Sequence, residues 1–256
     1  MTPNGQAAAV ALLALSGLAI GSFLNVCIHR LPRRQSLVLP ASYCPSCKQP
    51  IRWIHNVPVV AYLWLRGRCA MCRAPISPRY PLVEVAAALL FVANFLVFGW
   101  QPLLISRLLF SSLLIVLFVI DLEHRLLPNA VTLPGLLAGL VFSAVMPPGW
   151  GDALLGAVLG GGLLWIIGET YERFRGEQGL GMGDVKMIAM IGAFLGWQSM
   201  LVTLVLASFA GAAVGLLLIV IRRVSMQYAL PFGSFLAAGA FVSSLYGTRL
   251  LDWYLS

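Results

Sequence analysis

The chain has 256 residues, 60% of them hydrophobic and only 10% charged, with a mean hydropathy of +0.90. A soluble domain is about half apolar and about a quarter charged, so this composition excludes a soluble globular enzyme, a disordered tail and a disulfide mini-domain. The formal net charge of +8 would suggest nucleic acid in a soluble protein; in a chain this apolar it reads as membrane topology and attraction to anionic headgroups, with no nucleic acid required.

The first apolar run covers residues 7–28, with no Lys or Arg before Arg30. Lacking a basic n-region and a cleavage site, it reads as an anchor helix. Residues 30–79 form the one long polar stretch, with nine of the seventeen basic residues and four of the five cysteines. Apolar runs follow at 82–98, 103–120, 130–146, 153–169, 184–197, 200–221 and 230–247. The run at 184–197 is short for a full span. The predicted fold is an all-α, polytopic membrane bundle of about eight transmembrane helices with a small cytoplasmic zinc-ribbon-like loop domain. Its predicted parts are a first transmembrane helix at 1–28, the loop domain at 29–80 and a membrane core of about seven helices at 81–256.

Charge orients these helices. With the 30–79 loop in the cytoplasm, fifteen of the seventeen Lys and Arg fall on that side, among them Arg125, Arg173, Arg175, Lys186, Arg222 and Arg223. Arg107 and Arg249 alone fall toward the other face. The asymmetry predicts both termini outside the cytoplasm. Gly135–Gly139, Gly211–Gly215 and the run Gly160–Gly162 are read as sites of close helix packing.

Within the polar loop, Cys44-Pro-Ser-Cys47-Lys-Gln-Pro-Ile and Cys69-Ala-Met-Cys72-Arg-Ala-Pro-Ile are near copies, with 21 residues between the knuckles. Four thiolates complete a tetrahedral Zn²⁺ site with no open position, so the zinc is expected to be structural. A loop this small cannot hold itself together with an apolar core, and reduced cytosolic thiols disfavour disulfides. Cys27 reads as packing, and His29 and His55 as surface or interface residues.

The chain has only nine carboxylates. Glu169, Glu172 and Glu177 are read as a solvated polar loop, and Glu84 as a partner for Arg79 or a neighbour. Asp121 closes the apolar run ending at Ile120, and Asp184 opens the next one after Gly181-Met182-Gly183. Both are placed at the cytoplasmic ends of their helices, where an ionisable group is costly and therefore a functional candidate. Two apposed carboxylates can share one proton: the ionised member takes a proton from water while the protonated member polarises a peptide carbonyl. The glycines would let a substrate strand approach. The competing structural reading has Asp184 capping its helix and Asp121 pairing with Arg125. Lys186 does not share a helix face with Asp184 and is read as a ligand for lipid or for an acidic substrate residue.

The chain resembles the type IV prepilin peptidases, bifunctional leader peptidases and N-methyltransferases of the GxGD aspartic protease class. The resemblance rests on Gly21-Ser-Phe-Leu-Asn-Val26, Arg30-Leu-Pro32, the two knuckles, Arg79-Tyr-Pro-Leu-Val-Glu84, Asp121 to Asn129, Gly181-Met-Gly-Asp-Val-Lys186 and Pro231-Phe-Gly233. Asn129 stands where the family frequently has aspartate, and Ser234 where it frequently has proline. The resemblance implies catalysis by Asp121 and Asp184, supported by Gly181, Gly183 and Lys186, and zinc on Cys44, Cys47, Cys69 and Cys72. It implies removal of the basic leader from prepilins and type II secretion pseudopilins at the cytoplasmic face of the bacterial inner membrane, against membrane lipids. S-adenosylmethionine is the implied methyl donor, with no binding residues assigned. The alternatives are a peptidase without methylation and a transporter using the carboxylates as a relay.

Overall fold

The computed structural model describes residues 2–176, 179–222 and 230–255. Glu177 and Arg223, both named above, lie outside the described residues. The helices are α1 (Pro3–Arg30), α2 (Val60–Trp64), α3 (Arg79–Phe98), α4 (Pro102–His124), α5 (Asn129–Ser143), α6 (Trp150–Arg175), α7 (Met182–Arg222) and α8 (Phe232–Leu255). Extended structure, among the described residues, is limited to two isolated antiparallel bridges, Tyr43 with Pro50 and Arg68 with Pro75. The fold is all-α, as predicted.

Among the described residues, five helices are long and apolar enough to cross a membrane: Asn4–Arg30, Arg79–Phe98, Pro102–His124, Trp150–Arg175 and Met182–Ile221. Asn129–Ser143 and Phe232–Gly247 are shorter apolar helices. The longest helix, α7, is interrupted at Gly196, whose φ of 79° and ψ of 171° are not helical. Dividing α7 there turns seven apolar helices into eight apolar segments, matching the eight runs read from the sequence.

Several helices extend past their apolar runs. Glu169 and Glu172, expected in a loop, lie in the last turns of α6. There Glu169 accepts a hydrogen bond from Arg173 Nε at 2.9 Å, one turn on, a pair that supports helix in water as well as in lipid. Asp121, Glu123 and His124 likewise belong to α4. An apolar run marks the part of a helix that lipid can cover, and the backbone goes on being helical where side chains meet headgroups and water.

The chain packs as two compact units, Met1–Leu104 and Ile105–Ser256. In the first, α3, grouped in the sequence reading with the later helices, lies along α1. The contact needs glycine: a Cβ on Gly17 would stand 2.5 Å from the Ala88 Cα, and one on Gly21 2.6 Å from the Glu84 Cα. In the second unit, α7 packs against α5, α6 and α8.

The break in α7 leaves carbonyls of the preceding turn without helical donors. Two buried side chains supply them. Ser143 Oγ donates to the Ala193 carbonyl at 2.9 Å, and Arg107 Nη1 donates to the Phe194 carbonyl at 3.2 Å. In an apolar medium an unanswered carbonyl is costly, so Arg107 is held inside the unit by the interruption it caps.

Candidate active site and metal centre

Asp121 sits one turn from the end of α4 and is 5% exposed. Its Oδ2 accepts two hydrogen bonds from the start of α8: the Ser234 N–H at 2.7 Å and the Ser234 Oγ at 3.0 Å. The same hydroxyl lies 3.1 Å from the Phe118 carbonyl, its second available acceptor. A charged acceptor makes such bonds shorter and stronger than neutral ones. The approach of α8 depends on Gly233, where a Cβ would meet Leu127 Cδ1 at 2.9 Å and Asp121 Cγ at 3.1 Å.

Asp184 lies in the first turn of α7, half-buried, and its carboxylate accepts the N–H of Gly181. The competing reading has Asp184 as the cap itself, but α7 begins at Met182, so Gly181 holds the cap position and Asp184 is the third residue of the helix. The charge of Asp121 is felt at Asp184, which puts the two carboxylates, 63 positions apart in the chain, in one electrostatic neighbourhood. Arg125 donates its backbone N–H to the Asp121 carbonyl at 2.8 Å, and its charge also acts on the Asp121 carboxylate.

The supporting residues divide. Gly181 is exposed, and a Cβ there would stand 3.3 Å from Asp184 Oδ2. Gly183 instead gives room to Leu127, whose Cβ would lie 2.8 Å from a Cβ on the glycine. Leu127 therefore packs on both Gly183 and Gly233, and so joins the segments that carry the two aspartates. Lys186 Nζ donates to Asn129 Oδ1 at 2.9 Å, tying the start of α7 to the start of α5.

In the first unit the four cysteine Sγ atoms of Cys44, Cys47, Cys69 and Cys72 lie within 4.8 Å of one another. The Cys44 and Cys72 sulfurs are 3.9 Å apart. Four thiolates on one zinc at about 2.3 Å stand about 3.8 Å from each other, so the set fits a tetrahedral ion. Both knuckles are built alike. Cys44 N–H donates to the Gln49 carbonyl at 3.0 Å and Cys69 N–H to the Ala74 carbonyl at 2.8 Å. In each, the residue after the second cysteine or its equivalent, Lys48 and Arg73, adopts a positive φ of 60° and 61°. The backbone N–H groups of Cys72 and Met71 pull the Cys69 thiol down to about 6, and a thiolate is the form a metal binds.

Two features escaped the sequence reading. Ser234 is one hydroxyl among many, and only the approach of α8 to α4 gives it a partner. Glu84, expected to pair with Arg79 or a neighbour, is 7% exposed and accepts the Val59 N–H at 2.7 Å and the Ser22 hydroxyl.

A family model described as bacterial peptidase A24 N-terminal domain matches residues 15–98, and one described as type IV leader peptidase family matches residues 108–216. A prepilin leader peptidase/N-methyltransferase of Aeromonas hydrophila is 40% identical, over 96% of this chain and 93% of its own. The protein of the same name from Pseudomonas aeruginosa is 38% identical, over 94% of this chain and 91% of its own. That of Klebsiella pneumoniae is 46% identical over 77% of this chain and 89% of its own. No solved structure matches the chain.

Proposed function

The chain belongs to the type IV leader peptidase family, and we propose from that premise that Asp121 and Asp184 hydrolyse the leader of a prepilin and that the chain then methylates the new N-terminus. The observation that carries the peptidase reading is that Leu127 packs on both Gly183 and Gly233 and so joins the end of α4, where Ser234 holds Asp121, to the start of α7, which carries Asp184. Ser234 occupies Oδ2 of Asp121 and so orients the opposite oxygen. One carboxylate of the pair takes a proton from water, and the water oxygen bonds to the scissile carbonyl carbon. The other, protonated, carboxyl donates to the carbonyl oxygen. The tetrahedral intermediate then collapses, the C–N bond breaks and the amine leaves with a proton. No covalent enzyme intermediate is needed.

A prepilin presents a basic leader followed by an apolar helix. The helix can lie in the bilayer beside the enzyme's own spans, which brings the junction to the membrane face where α4 ends and α7 begins. We assign that face to the cytoplasm and the protein to the bacterial inner membrane, with type II secretion pseudopilins as further substrates. The enzyme's loops are themselves basic, so anionic lipid, not the loops, draws in the leader.

The cysteine cluster holds a structural zinc in this reading, because its four thiolates leave no position for water or substrate. S-adenosylmethionine, when bound, supplies a methyl group on a sulfonium. The new amine must give up a proton before its nitrogen can accept that methyl.

The test uses purified full-length protein in detergent, a prepilin and S-adenosylmethionine, with mass spectrometry of the product. Asp121→Asn and Asp184→Asn are each expected to lose cleavage by at least ~10³-fold, the usual scale for a group acting in the transition state. Both should still methylate a pilin supplied already cleaved. Cleavage retained in either variant removes the pair from the mechanism.

A further inference from the structure

The methyl-transfer reading leaves its donor without an address, and the first unit contains a cavity that the peptidase chemistry does not use. It has a volume of about 650 Å³ and is enclosed by the end of α1, the start of α3 and the cysteine loop. That is within the size range of small-molecule sites, about 300–1,000 Å³. We propose that this cavity is the S-adenosylmethionine site, with Asn25 and Glu84 as its principal polar contacts; the assignment rests on the methyl-transfer reading.

Three observations carry it. First, Asn25 lines the cavity and is 3% exposed. Its Nδ2 donates to the carbonyls of Gly21 at 3.3 Å and Tyr80 at 3.0 Å. Two carbonyl acceptors fix which end of the amide is nitrogen. Oδ1 is then a buried acceptor with no partner, a cost that native structures rarely bear without a use. Second, the buried Glu84 carboxylate lines the same cavity. It is held from two sides, by Ser22 of α1 and by the N–H of Val59. Third, Val59 also lines the cavity and sits at φ 60°, a conformation unfavourable for a β-branched residue. Strain of this kind collects at ligand sites, and here it delivers the Val59 N–H to Glu84.

The chemistry of this wall is mixed in the way the ligand is mixed. Asn25 Oδ1 asks for an N–H donor, which the adenine amino group or the α-ammonium provides. A carboxylate suits a ribose diol or a cation. Tyr43 and Tyr80 line the cavity as well, and aromatic residues favour a planar base and a sulfonium. Arg79, also in the wall, matches the methionine carboxylate. A neutral apolar ligand would leave Asn25 Oδ1 unanswered, and a simple anion, though drawn by Arg30, Arg33, Lys48 and Arg79 in the wall, would bring that acceptor no donor.

Binding of radiolabelled S-adenosylmethionine to the purified full chain, followed by equilibrium dialysis, tests the proposal. One site per chain is expected. Glu84→Gln and Asn25→Ala should each weaken binding about 10-fold or more, the loss of roughly one buried charged or polar contact. Unfolding of Glu84→Gln, which keeps an acceptor for Val59, should stay within a few degrees of the parent. As a check that needs no variant, ultraviolet crosslinking of the labelled donor should mark peptides from residues 22–30, 42–50 or 77–84. Unweakened binding in both variants, or crosslinks confined to the second unit, overturns the site while methylated product from the parent upholds the methyl-transfer reading. A parent chain that neither binds the donor nor methylates a cleaved pilin overturns that reading and the site with it.

Discussion

Ser234 shows how much a single hydroxyl residue at a helix start can do. It gives Asp121 two donors on one oxygen, one from the backbone and one from the side chain. Ser234→Ala keeps the N–H bond and removes the hydroxyl. It is expected to lower kcat for leader cleavage about 10-fold, at the low end of what a hydrogen bond to a charged group contributes, and to leave KM unchanged because no substrate contact is lost. A raised KM with kcat intact would show that Ser234 acts on the substrate. Asp121 and Asp184 were legible in the sequence because carboxylates are scarce in this chain and each of these two adjoins an apolar run. The role of Ser234 was not: it stands 113 positions from Asp121, and its place after Pro231-Phe-Gly233 marked it only as a departure from the family pattern. The resemblance pointed away from it, since proline, which it leads one to expect at this position, has no N–H to give.

At the scale of elements, apolar runs located the helices well because burial in lipid is a composition property, and they misplaced the ends because helix continues into water. The Gly196 interruption was legible as the short run at 184–197, but not the side chains that make it tolerable. Arg107→Met removes the donor to the Phe194 carbonyl and is expected to lower the unfolding temperature in detergent, through an unsatisfied buried carbonyl costing about 1–3 kcal/mol; an unchanged temperature would mean water fills the gap. The cysteine knuckles were the most legible element, since two copies of one motif dictate one site. Purified protein is expected to carry one zinc per chain by elemental mass spectrometry. Removing it with a strong chelator should abolish methyl transfer and spare leader cleavage, because the knuckles fold in the first unit and the aspartates in the second. Acid should act in the same direction. Protons compete with the metal for all four thiolates, so metal retention should hold at neutral pH and fall as acid is added, as zinc release to a chromogenic chelator would record. Release that stays flat from neutrality into strong acid would contradict it.

For the whole molecule, +8 is a statement about sides of a membrane. Neither packing within a unit nor any pair of residues reveals it; it emerges from where the loops fall between helices. The loop of residues 30–79 and the polar ends of α4 and α6 carry most of the positive charge, while the connections at 99–102, 146–151 and 197–200 carry no Lys or Arg. Moving such loops across a bilayer against the positive-inside bias is unfavourable, so the loops with charge are expected in the cytoplasm and the uncharged ones on the far side. Eight crossings then return the chain to the side on which it started. Reporter fusions discriminate directly: alkaline phosphatase, active only after export, is expected to be active when joined at either terminus and inactive when inserted in the 30–79 loop, with a cytoplasm-dependent fluorescent reporter giving the reverse pattern. A terminus found in the cytoplasm would mean that one apolar segment, most simply α7 before Gly196, does not cross. The end of α4 and the start of α7 would still share a face, because both precede that segment, so the catalytic pair would survive this result. The pair is tested by reporters placed between the two aspartates: insertions at 125–128 and at 176–180 are expected on the same side, and finding them on opposite sides would mean that α5 or α6 does not cross and that Asp121 and Asp184 cannot serve one peptide bond.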